Sequence, residues 1–142
     1  MALVKYLVDF GSVKMPSDAF AEKPLVLVVE DSEDTREAMA EILQIEGFAV
    51  STAENGQQAL EVLRGENPCV VLLDLMMPIM SGWEFLRYRK ERQELAKIPV
   101  IVISAMMDEA AGARAEGADA FLRKPMDIPT LVNVVKRLSA EA

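Results

Sequence analysis

From Leu25 onward, short aliphatic runs alternate with longer segments whose apolar residues recur at helical spacing. The runs are LVLVV, AVSTA, VVLLD, VIVIS and AFLRK, starting at Leu25, Ala49, Val70, Val100 and Ala120. Their length and their branched side chains predict five strands. The intervening amphipathic segments predict helices over about Glu33 to Ile45, Gly56 to Arg64, Trp83 to Leu95, Asp108 to Glu116 and Ile128 to Leu138. Fully apolar strands need cover on both faces, and strands separated by helices pair in parallel.

Crossovers of this kind are right-handed in nearly all cases, and five units are too few for an eight-unit barrel. The expectation is an α/β, flavodoxin-like (βα)5 doubly wound parallel sheet with strand order 2-1-3-4-5. In that order a ligand crevice opens at the carboxyl ends of strands 1 and 3.

A chain of 142 residues is one domain by size, here assigned to residues 25–142. Residues 1–24 read differently: the apolar run ALVKYLVDF is followed by Gly11-Ser12 and a second methionine, Met15. They are read as an N-terminal arm or an appended leader. Lys5 and Asp9 interrupt the run, so it is no secretory signal. No apolar stretch approaches the ~20 residues of a membrane helix.

Histidine is absent, which excludes histidine-based triads, His-ligated zinc and histidine phosphotransfer on this chain. The lone Cys69 points to a reduced, cytoplasmic protein. Fifteen Lys and Arg against 23 Asp and Glu give a net charge of −8, which argues against direct nucleic-acid binding.

Chemistry must then run on carboxylates, hydroxyls or lysine, and these lie at the predicted strand ends. Strand 1 ends in Glu30-Asp31, strand 3 in Asp74, strand 4 in Ser104 and strand 5 in Lys124-Pro125. Neighbouring strands are ~4.8 Å apart, so the acids of strands 1 and 3 can share a ligand. Clustered carboxylates repel unless a cation joins them, and Mg²⁺ accepts one or two carboxylates plus water, a carbonyl or phosphate oxygen. Asp31, Asp74 and the carbonyl of Met76 can supply that set, with Glu30 holding a metal-bound water. Lys124 and Ser104 suit phosphoryl oxygens as point charge and hydroxyl donor. Asp74, central among them, suits a nucleophile that forms an acyl phosphate.

The segments VVEDSEDTRE, VVLLDLMMPIMSGWEFL, VIVISA and GADAFLRKP resemble the receiver domain of two-component response regulators over Leu25 to Leu138. The resemblance implies a phosphoryl-accepting protein. Asp74 would be phosphoacceptor, Glu30 and Asp31 the Mg²⁺-binding acids, Ser104 the switch hydroxyl, Lys124 the phosphoryl contact and Phe121 the aromatic switch. It also implies a cis peptide at Lys124-Pro125. A histidine kinase or histidine phosphotransfer protein would donate the phosphoryl group, and the face of the fourth helix, fifth strand and fifth helix would bind a protein target. Homodimerisation is left open. Such a protein is no metabolic enzyme and catalyses only its own phosphorylation and slow dephosphorylation.

Plainer readings exist for each residue. Glu30-Asp31-Ser32 can simply cap the first helix, Ser104 can end a strand and Phe121 can fill the core. The run RYRKERQE, Arg87 to Glu94, reads as the solvated face of the third helix. The alternative function is a pseudo-receiver that binds proteins without phosphorylation, which the joint presence of acids, hydroxyl and lysine disfavours. An aspartate-nucleophile phosphatase needs an acid two residues beyond the nucleophile, where Met76 stands.

Overall fold

The computed structural model describes residues 23–141, so nearly all of the 1–24 segment lies outside the described residues. Strands β1 (Leu25–Val29), β2 (Ala49–Ala53), β3 (Val70–Asp74), β4 (Val100–Ser104) and β5 (Ala120–Arg123) form one parallel sheet. Their order is β2-β1-β3-β4-β5, as the alternation predicts. The helices are α1 (Glu33–Ile45), α2 (Gly56–Gly65), α3 (Gly82–Lys90), α4 (Gln93–Ala96), α5 (Ala110–Ala115) and α6 (Ile128–Glu141).

Successive side chains along a strand point to opposite faces, and the core divides accordingly. Leu27, Val71, Leu73 and Val102 pack with Ala59 of α2, Phe85 and Leu86 of α3 and Ala113 of α5. Val26, Val28, Leu72 and Ile101 pack with Met39 and Leu43 of α1 and with Leu131 and Val135 of α6. Burial on both faces is why β1, β3 and β4 read as unbroken apolar runs. Among the described residues, no helix is long and apolar enough to cross a membrane.

Local signals start α1, α2 and α3 within a residue of the predicted places. Ser32 accepts from Thr35 N at α1, Asn55 from Gln58 N at α2, and Ser81 and Glu84 form a reciprocal capping box at α3.

The third helical segment departs from expectation, because it is not one helix from Trp83 to Leu95. Arg92 is extended (φ −124°, ψ 119°), and α4 is a single separate turn. The solvated reading of Arg87 to Glu94 also fails at Arg89, which is only 4% exposed. Its guanidinium donates to the carbonyls of Ile98, Ala96 and Gly117 and to Asp119 Oδ2. Five donors in a fixed fork can satisfy carbonyls from several segments at once, which a lysine cannot. The chain turns back toward β4 around this group instead of extending the helix. Consequently the fourth and fifth predicted helices are α5 and α6. A 3₁₀ turn, Met107–Glu109, leads into α5.

Candidate phosphoryl-acceptor site

Parallel pairing brings the strand ends to one edge. Val29 lies beside Leu73, so the next residues, Glu30 and Asp74, stand level. Asp74 in turn lies beside Ile103, and the Lys124 N–H donates to the Ser104 carbonyl at 2.8 Å. Glu30, Asp31, Asp74, Ser104 and Lys124 therefore gather as the sequence predicts. The Lys124-Pro125 peptide is cis.

Glu30 is 1% exposed and Asp74 6%, whereas Asp31 is exposed. Each of the three offers an oxygen within 4.8 Å of the others. Two buried carboxylates side by side need a counter-charge. Lys124 Nζ supplies it, at 3.0 Å from Glu30 Oε1 and 3.5 Å from Asp74 Oδ2. Burial by itself would lower the pKa of this ammonium. The hydrogen bond to Glu30 and the charges of Asp74 and Glu30 together outweigh burial and raise it above the ordinary lysine value. Lys124 is thus charged throughout the neutral range.

The remaining oxygens have backbone partners. Ser32 N donates to Glu30 Oε2 at 3.1 Å and Met76 N to Asp74 Oδ1 at 3.2 Å. Met76 thus places its backbone against Asp74 while the residue as a whole is 66% exposed. Ser104 is buried, accepts from Met106 N at 3.1 Å and donates to the Glu109 carboxylate. Phe121, beside Val102 on β4, is half-buried against the α2–α3 side of the core.

Two residues of the site escape a reading of the sequence. Arg36 of α1 donates to the Glu30 carbonyl at 2.9 Å and braces the β1–α1 turn. Glu109 holds the Ser104 hydroxyl. Both are ordinary helix-surface residues by pattern, and nothing in their spacing marks them.

The loop after Asp74 is held at two points by glycine. Gly56 N donates to the Met80 carbonyl at 2.9 Å, and Gly82 N to the Leu75 carbonyl at 3.0 Å. A Cβ on Gly82 would lie 2.4 Å from the Asp74 carbonyl oxygen and 2.7 Å from Leu75 Cα. Both are backbone atoms, so neither gives way cheaply. Gly82→Ala is expected to cost about 2–3 kcal/mol, as overpacking does, and to shift the Asp74 backbone. A melt showing wild-type stability would contradict this. Ile79 in the same loop has φ 69° and is 77% exposed. A β-branched residue in the left-handed region is strained, and such strain concentrates at functional loops.

A family model described as the response regulator receiver domain matches residues 26–136. The polar-differentiation response regulator DivK of Brucella anthropi is 29% identical over 119 residues, covering 82% of this chain and 97% of its own. The signal receiver domain of a signal transduction histidine kinase from Syntrophus aciditrophicus is 30% identical with a TM-score of 0.79, covering 84% of this chain and 92% of its own. The chemotaxis response regulator CheY4 of Vibrio cholerae is 28% identical with a TM-score of 0.76, covering 82% and 98%. The strand order, the three carboxylates at one sheet edge and a match over most of the chain agree, and the chain belongs to the response regulator receiver domain family.

Proposed function

We propose that Asp74 accepts a phosphoryl group from a histidine kinase or histidine phosphotransfer protein, and that the α5–β5–α6 face then binds a protein target. The observation that carries this reading is Lys124 Nζ, which reaches from the end of β5 to both Glu30 and Asp74. An ammonium fixed beside a buried carboxylate is placed to meet the oxygens of a phosphoryl group on that carboxylate. In the transfer, an Asp74 oxygen forms the bond to phosphorus while the donor's phosphorus–nitrogen bond breaks, and the departing imidazole takes up a proton.

The donor set fits Mg²⁺: all-oxygen, with two buried acids and an exposed third that leaves room for water. Asp31, Asp74 and the Met76 carbonyl would hold the ion, with Glu30 acting through a water. When bound, it supplies positive charge to the phosphoryl oxygens. Titrating Mg²⁺ while following Trp83 fluorescence should give a weak, saturable response that Asp31→Asn reduces by about tenfold or more in affinity. An undiminished response in that variant would move the metal elsewhere.

An apolar groove beside Lys124, between α1 and the start of α6, supports docking of the donor at this edge. Ala38, Met39, Ile42, Met126, Ile128 and Leu131 line it. Free Cys69, half-buried with its thiol donating to the Leu25 carbonyl at 3.2 Å, supports a reducing, cytoplasmic setting.

The test is intact mass after treatment with a small acyl phosphate, with and without Mg²⁺. One Mg²⁺-dependent phosphoryl increment is expected, and none would overturn the reading. The increment should also be long-lived. Met76 and Met106, 66% and 53% exposed, flank the site and cannot orient or deprotonate an attacking water. Replacing them together with Asn and Glu should shorten the phosphoryl half-life roughly tenfold or more. An equal or longer half-life would assign control of water access to other groups.

A further inference from the structure

We propose that Glu109 is a positioning residue that holds the Ser104 hydroxyl away from the phosphoryl position until an anion on Asp74 outcompetes it. The inference rests on Asp74 being the phosphoacceptor. A serine hydroxyl has one proton to donate. In this structure Ser104 gives it to the Glu109 carboxylate, while its oxygen accepts from Met106 N. Ser104 cannot serve a phosphoryl oxygen without releasing Glu109.

Glu109 is suited to such a contest. It is half-buried, and among the described residues no Lys or Arg pairs with it. A charge-assisted hydrogen bond to a buried hydroxyl is strong, and another anion offering several oxygens can displace it. Glu109 also ends the 3₁₀ turn that leads into α5. That helix is six residues long, and within it only Ala113 is fully buried. At Gly112 the helix runs close to α3, where an added Cβ would lie 3.1 Å from the Trp83 ring. Release of Glu109 therefore frees the entry to a lightly anchored helix, which couples events at Asp74 to the α5 surface.

Beryllofluoride with Mg²⁺ serves as the phosphoryl mimic, with its affinity measured by fluorine NMR. Glu109→Ala should bind it roughly fivefold more tightly than wild type, the order expected from losing a competing charge-assisted bond. Removing a negative charge near the site also favours an anion, but that effect does not need Ser104. Hence the gain should largely vanish when Glu109→Ala is made in a Ser104→Ala background. Glu109→Gln keeps an acceptor without the charge and should fall between wild type and Glu109→Ala. No gain, or the same gain in both backgrounds, would overturn the positioning role. Failure of the wild-type protein to bind beryllofluoride would instead overturn the phosphoacceptor reading on which it rests.

Discussion

Asp74→Asn is expected to take up no phosphoryl group from an acyl-phosphate donor under conditions where the wild-type protein gains one. The amide has nearly the shape of the carboxylate but lacks its nucleophilic oxygen, so the rate should fall by more than about a hundredfold, to background. The surroundings should survive the change. Lys124 keeps its 3.0 Å bond to Glu30, and Met76 N can still donate to the amide oxygen that replaces Asp74 Oδ1. Removing one charge from three carboxylates within 4.8 Å also relieves repulsion, so thermal stability without Mg²⁺ should be retained or rise. Loss of labelling with an intact melt would tie the chemistry to this oxygen. Undiminished labelling would refute the assignment.

Arg89→Met is expected to be strongly destabilising although it lies away from the site. Arg89 joins the end of α3, the α4–β4 connection and the α5–β5 turn through four acceptors: the carbonyls of Ile98, Ala96 and Gly117, and Asp119. Asp119 also accepts from Val100 N at 2.8 Å, so it holds the start of β4 as well. Burial lowers the Arg89 pKa, opposed by the charge of Asp119, yet guanidinium is basic enough to stay protonated. The partner carboxylate is 41% exposed, so the ion pair itself contributes modestly and the carbonyl bonds contribute most. Methionine fills similar volume but leaves those acceptors without a donor, at an expected cost of about 3 kcal/mol. For a domain of this size that is roughly a 10 °C fall in Tm. Arg89→Lys, with a compact ammonium in place of the fork, should recover less than half of the loss. A thermal melt of both variants checks this, and near-wild-type stability of Arg89→Met would show that water satisfies the acceptors.

Much of this molecule was legible before folding. The strands at Val70–Asp74 and Val100–Ser104 stand where their apolar runs place them, and α1 spans the predicted Glu33–Ile45. Alternation of strand and helix implies parallel pairing, and parallel pairing puts every strand's carboxyl end on one edge. That is why Glu30, Asp31, Asp74, Ser104 and Lys124 could be assembled from their positions alone. What the pattern could not contain is which backbone atoms meet a given side chain after folding. Arg89 and Arg87 have the same surface-helix spelling, yet Arg89 is buried because carbonyls from residues as distant as Gly117 converge on it, while Arg87 pairs with Glu116 at 3.4 Å on the surface. The break at Arg92 has no proline or glycine to announce it, since it follows from that same convergence. Glu109 is likewise one acid among many in sequence, and only the path of the 3₁₀ turn brings its carboxylate to Ser104. Periodicity encodes which face of an element is apolar. The partners of a buried polar group are set by tertiary packing, because they come from segments whose separation along the chain bears no relation to their distance in space.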